Sequence, residues 1–211
     1  MACEAEVVIR VAVIAGVVVV ALLVVAQLAV PPFVESRIED RLTAGGGSAK
    51  ASVEVLPAAR LLIGDGDSIE VTGSGLDLEV NSEEGVFDRL DGFGRVDIDL
   101  TAFRAGPFEI ESFTLSRDGS QTPYSLQSSS TTTGTELLQY GADELGVPGS
   151  SLIPLITGDE PDTNVEVPVE LDMQFESDDG RILVTEGGGE IAGYPTGPLA
   201  ELITSAIVVQ L

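Results

Sequence analysis

From Val11 to Val30 the chain reads VAVIAGVVVVALLVVAQLAV, in which Gln27 is the one strongly polar residue. Twenty such residues at about 1.5 Å each extend roughly 30 Å, the depth of a bilayer's hydrocarbon core. The run is longer than the about 7–15 apolar residues of a signal peptide, and its AQLAVPP exit lacks small residues at the A-x-A offsets. An uncleaved transmembrane anchor over 11–30, after a short N-terminal segment (1–10), is therefore expected over a cleaved signal peptide. Unbroken valines with no polar face argue against a buried core helix. Pro31 and Pro32 are expected to stop the helix. In FVESRIEDRL beyond them, Val34, Ile38 and Leu42 recur at spacing four, the stripe of a short amphipathic juxtamembrane helix. The Gly-rich TAGGGSAK then breaks it, so residues 31–48 read as helix plus linker and 49–211 as one extracytoplasmic domain.

The pattern then changes to period two. Ala51, Val53 and Val55 alternate with polar residues as a strand with one buried face. PAARLLI predicts about two helical turns ending at Gly64. Beyond GDGD, Ile69 and Val71 begin a strand, and Leu76, Leu78 and Val80 resume it after a Gly-Ser-Gly interruption that predicts a bulge or kink. NSEEGVFDRL reads as a short helix capped by Asn81 or Ser82. Val96, Ile98 and Leu100 form the next strand. Phe108, Ile110, Phe113 and Leu115 follow with one slip near Ser112, and RDGSQTP turns the chain into Tyr124 and Leu126, an antiparallel meander. SSSTTTGTE (128–136) reads as a strand end and a helix cap before LLQYGADEL, the other reading being a glycosylated stalk.

The longest alternation follows. Val165, Val167, Val169, Leu171, Met173 and Phe175 share one face, with Pro168 expected to make the first half an edge or a bulge. SDDGR turns this strand toward a return strand starting at Ile182 and Val184. At the end, Pro198 suits a first helical turn, and Leu199, Leu202, Ile203, Ala206 and Ile207 predict an amphipathic helix. The fold class is α+β: a curved antiparallel sheet packed against amphipathic helices and preceded by one transmembrane helix.

Charge narrows the partners. Ten Lys and Arg face 35 Asp and Glu, a formal charge of −25 that repels nucleic-acid phosphates. Such acidity fits either salt adaptation or a high-GC genome. Around the span, Arg10 with Glu4 and Glu6 is nearly balanced by Arg37 and Arg41. The usual signal-anchor arrangement places the N-terminus in the cytoplasm and the acidic domain outside, in the cell membrane's single-pass class.

Chemistry is sparse. Histidine is absent, and Cys3 is the only cysteine, a free thiol or a lipidation site. Neither a G-x-S-x-G elbow nor a P-loop occurs, and nothing singles out two carboxylates as a glycosidase-type pair. Neither catalysis nor a cofactor is expected. GDGD fails as an EF-hand: counted from Asp65, the fifth, sixth and twelfth positions are Ile69, Glu70 and Leu76. An irregular cation site stays open beside the better-fitting reading as a turn, with Gly64 and Gly66 permitting positive φ.

Taken in order, the anchor, the amphipathic helix, the strand, RLLIGDGDSIEVTGSGL, the meander and the late strand pair from Val165 to Val184 resemble the LmeA-like phospholipid-binding family of actinobacterial envelope proteins, from about Phe33 to the end. The resemblance implies a tubular lipid-binding-like domain, in which a curved sheet wraps a helix and leaves an apolar groove for acyl chains. The residues it implies for that groove are Val165, Val167, Val169, Leu171, Met173 and Phe175, closed by Leu199, Leu202, Ile203 and Ile207. The acidic surface predicts discrimination against anionic headgroups, unless Arg104 or Arg117 meets them locally. The partners are then the membrane, through the N-terminal helix, and a phospholipid, with no nucleic acid. The residues alone favour an ordinary core over a groove, which fits an anchored structural or protein-interaction module of the envelope with a dry core.

Overall fold

The computed structural model describes residues 2–79, 87–136, 166–178, 181–191, 194–195 and 208. Helix α1 runs without a break from Ala2 to Leu42 with Pro31 and Pro32 inside it, so the expected stop at the proline pair does not occur. A proline's fixed φ suits a helix, and its cost there is a missing donor and a crowded preceding turn. The part of α1 beyond the prolines is held from outside. Ile38 and Leu42 are 3% and 0% exposed in the core, and Val34 packs against it, as their spacing predicts. Before the prolines, the large apolar side chains from Ile14 to Leu28 are 51–73% exposed, and α1 is long and apolar enough to span a membrane.

The rest of the described chain builds one large, curved, unclosed sheet. Its strands are β1 (Ser48–Glu54), β2 (Gly66–Ser74), β3 (Asp77–Leu78), β4 (Phe93–Ala105), β5 (Phe108–Asp118), β6 (Tyr124–Thr133), β7 (Glu166–Asp178), β8 (Arg181–Ile191) and β9 (Tyr194–Pro195). A 3-10 helix (Ala58–Ile63) joins β1 to β2, and the single turn α2 (Asp88–Asp91) precedes β4. The order is β1-β2-β4-β5-β6-β7-β8-β9, with β3 beside β4. Most pairs are antiparallel, but β2 and β3 run parallel to β4, where the sequence predicts antiparallel pairing throughout. Parallel neighbours need a crossover rather than a tight turn, and the stretch between Leu78 and Phe93 supplies its length. The Gly-Ser-Gly interruption is a step along one edge of β4. There Gly75 donates its N–H to the carbonyls of Thr101 (3.3 Å) and Ala102 (3.0 Å) between the β2 and β3 ladders.

Other local readings hold. The β5–β6 register shifts between Ile110 and Ser112, at the slip read from the pattern. Thr133 and Glu136 form a capping box, with the Thr133 hydroxyl accepting the Glu136 N–H (3.2 Å) and a Glu136 carboxylate oxygen accepting the Thr133 N–H (3.1 Å). Strand β7 pairs with β6 from Glu166 to Phe175, whereas its β8 ladder begins only at Val169, so Pro168 lies just outside that ladder. The predicted positions Val80, Asn81, Ser82, Val165, Leu199, Leu202, Ile203, Ala206 and Ile207 and the segment LLQYGADEL lie outside the described residues. Val208 is helical and 0% exposed.

The edge strand β1 is covered by α1 through hydrogen bonds as well as packing. Glu39 accepts the Ala51 N–H (3.0 Å), and Glu35 accepts the Val53 N–H (2.8 Å). Four helical residues rise about 6 Å and two strand residues about 6.7 Å, so carboxylates at i and i+4 match every second amide of a strand. An open sheet edge is thereby blunted. Further down α1, Gln27 Nε2 donates to the Val55 carbonyl (2.7 Å) while its Oε1 accepts the Ala58 N–H (2.8 Å). Residue numbers fall along α1 as they rise along β1, so β1 runs back toward the apolar half of the helix.

Candidate functional site

Alternation on β7 brings Val167, Val169, Leu171, Met173 and Phe175 onto one face, as the sequence predicts. They are 0–6% exposed and belong to one contiguous core with Val71, Ile98, Leu100, Phe113, Leu115 and Leu126. In the described residues this face is packed rather than open.

The neighbouring strand carries what the sequence reading missed. Tyr124, Leu126, Ser128, Ser130 and Thr132 of β6 point into the same interior, opposite Phe175, Met173, Leu171, Val169 and Val167. Three hydroxyls therefore lie among aliphatic and aromatic side chains. Ser130 donates to the Val169 carbonyl (3.3 Å), and Thr132 donates to the Pro107 carbonyl (2.8 Å). The Ser128 hydroxyl, between Phe113 and Leu171 and 6% exposed, has no hydrogen-bond partner among the described residues. The signal was present in SSSTTT: the alternation begun by Tyr124 and Leu126 continues through it, and low complexity concealed which hydroxyls face inward.

At one end of this face sits a buried charge. Arg117 of β5, 5% exposed, donates to an Asp91 carboxylate oxygen (3.2 Å) and to the carbonyls of Leu90 (3.1 Å), Asp91 (3.2 Å) and Phe93. Its guanidinium lies 4.4 Å from the Tyr124 ring centroid. The Tyr124 hydroxyl donates to Asp91 (2.9 Å), and Ser177 donates to the other carboxylate oxygen. Burial pushes the Tyr124 phenol well above its usual range, against the opposing pull of Arg117. Tyr124 also stacks on Phe175 (5.1 Å), and Phe87 meets both rings edge-on. Arg117 is buried and its two terminal nitrogens are engaged by α2 and the start of β4, so it is not placed to meet a headgroup at the surface. Arg104 is exposed and pairs with Glu109 (3.0 Å), beside a surface groove of about 510 Å³ with an acidic rim of Asp77, Glu109 and Glu111.

GDGD is an ion-paired corner. Arg60 donates to both Asp65 oxygens (3.1 and 2.8 Å) and to Asp67, whose second oxygen accepts the Leu56 N–H (2.9 Å). The hydrogen bond from Arg60 is the main cause holding the Asp65 carboxyl below its usual value, and the two aspartates raise the guanidinium in turn. Gly64 ends the 3-10 helix at φ 74°, ψ 25°, as the turn reading requires. Among the described residues no cluster of three or more Cys, Asp or Glu is arranged to hold a metal ion. No protein-family model, no curated protein and no solved structure matches this chain.

Proposed function

We propose that the protein is a membrane-anchored, non-catalytic protein of the cell envelope that holds a phospholipid or another acyl-chain ligand against the inner face of its sheet. The N-terminus lies in the cytoplasm and the acidic domain outside. The observation that carries this reading is the Ser128 hydroxyl, which among the described residues has no partner although the neighbouring inward hydroxyls of Ser130 and Thr132 do. A buried hydroxyl without a partner costs about 1–3 kcal/mol, and a lipid ester carbonyl at Ser128 would remove that cost. Each methylene buried against Val167, Val169, Leu171, Met173 and Phe175 would contribute about 0.8 kcal/mol. With Arg104 and Arg117 both occupied, recognition falls on acyl chain and ester rather than on an anionic headgroup. The resemblance to LmeA-like proteins and the membrane-competent α1 support the same reading.

One observation favours an anchored structural or protein-interaction module with a dry core: the β7 face is 0–6% exposed, so ligand uptake requires its covering to part. Native mass spectrometry of the full chain separates the two. Retained phospholipid after gentle extraction supports the ligand reading, and a chain that stays empty when offered mixed phospholipids supports the dry core.

A further inference from the structure

The short segment between β1 and β2 is unlike the rest of the domain. Outside α1, the exposed large apolar side chains of the described residues are Leu56 (71%), Leu62 (81%), Ile63 (80%), Leu183 (50%) and Val184 (50%). Three of the five fall within eight residues. Isolated exposed leucines need no explanation, but a cluster on a tight turn does. Strand directions place β8's start, with Leu183 and Val184, at the same end of the sheet as this turn.

Gln27 fixes where that turn sits. Its amide grips Val55 and Ala58 on either side of Leu56, and Gln27 lies inside the apolar run that ends at Val30. Along the helix axis the clamp is about 4.5 Å short of that end and about 9 Å below Phe33. Phe33 is 61% exposed, with the Arg37 guanidinium 5.2 Å from its ring centroid, an aromatic and cationic pair suited to headgroup level. The turn therefore lies below the headgroups if α1 crosses the bilayer. Its charge agrees: VLPAARLLIG (55–64) contains no acidic residue in a chain of net charge −25, and its one cation, Arg60, is paired with Asp65 and Asp67.

We infer that the 3-10 turn is a membrane-immersed lip, with Leu56, Leu62 and Ile63 inserted among the acyl chains of the leaflet on the domain's side of the membrane. The lip fixes the domain against the bilayer at two points, α1 and the turn, and so sets which edge of the sheet faces the lipid. It rests on α1 spanning the membrane but not on any ligand within the sheet.

The chain has no tryptophan, so single-tryptophan variants report depth directly. Full-length Leu62→Trp, Ile63→Trp, Leu23→Trp (mid-span) and Glu111→Trp (exposed on β5) are placed in phosphatidylcholine nanodiscs carrying acyl-brominated lipid. The lip predicts blue-shifted emission and several-fold bromolipid quenching for Leu62→Trp and Ile63→Trp, a deeper position for Leu23→Trp, and quenching only by aqueous iodide for Glu111→Trp. Lip variants that behave like Glu111→Trp while Leu23→Trp is quenched by bromolipid overturn the lip alone. Loss of quenching at Leu23→Trp overturns the spanning helix and the lip with it.

Discussion

Two arginines with aspartate partners stand close together in this fold and do different work. Arg60, at the GDGD corner, has a side chain 32% exposed and partners Asp65 and Asp67 at 40% and 48%. Arg117 has a side chain 4% exposed, and its donors are divided between Asp91 and three backbone carbonyls. Away from a bilayer, water and salt can replace the first arrangement but not the second, so similar chemistry shapes a surface turn in one case and locks α2 to the sheet in the other. The regions touch through their backbones. Gly66 donates its N–H to the Gly92 carbonyl (3.1 Å), and a Cβ on Gly92 would meet the Gly64 carbonyl oxygen at 1.8 Å.

The largest expected effect comes from Arg117→Met. It removes the buried counter-charge of Asp91 and the side-chain donors to three carbonyls at once, a loss of about 3 kcal/mol, read as a drop in Tm on the order of 10 °C for the full chain in detergent. A shift no larger than that of an exposed arginine would remove the distinction. Next is Gly64→Ala at the corner: nothing lies within 4 Å of the added Cβ, so the cost is the positive φ alone, about 1–2 kcal/mol. Denaturant titration of this variant tests whether backbone geometry outweighs the ion pairs there.

Tyr124→Phe removes one hydrogen bond to Asp91 while Arg117 and Ser177 remain, about 1 kcal/mol at neutral pH. Its pH signature is more specific. The folded phenol titrates above its ordinary 10.0, so its contribution is fully present below about pH 10 and declines as pH rises toward the folded value. The wild type should lose stability above pH 10 more steeply than Tyr124→Phe in alkaline unfolding. The smallest effect is expected from Asp65→Asn. The Asp65 carboxyl is lowered from 3.8, so its contribution holds above that value and fades as pH falls below it. Thermal melts at pH 7 should barely separate Asp65→Asn from wild type, and added salt should narrow the gap further.

The strands were legible because their core faces alternate strictly. Ile69 and Val71, Val96 to Leu100, and Val167 to Phe175 each declare a buried side without reference to neighbours. Pairing direction was not legible: whether β4 turns back on β2 or crosses over beside it depends on the intervening path, which residue types do not encode. The continuous α1 was misread because two prolines are a local breaking signal, while the docking of Glu35, Ile38, Glu39 and Leu42 that sustains the helix is tertiary. At the candidate site the apolar half was readable from β7. Ser128 was not, since a serine in a serine run discloses its burial only when the strand's register is known.

The most direct test of the lipid-holding reading is where a bound acyl chain touches the protein. A phosphatidylcholine carrying a diazirine near the end of one acyl chain is photolysed with the full-length protein in nanodiscs, and adducts are mapped by peptide sequencing. Adducts on the inner face of β6 and β7, around Ser128, Leu171 and Met173, are the predicted result. Adducts confined to α1 and to Leu56–Ile63 would contradict it, leaving an anchored protein with a dry core.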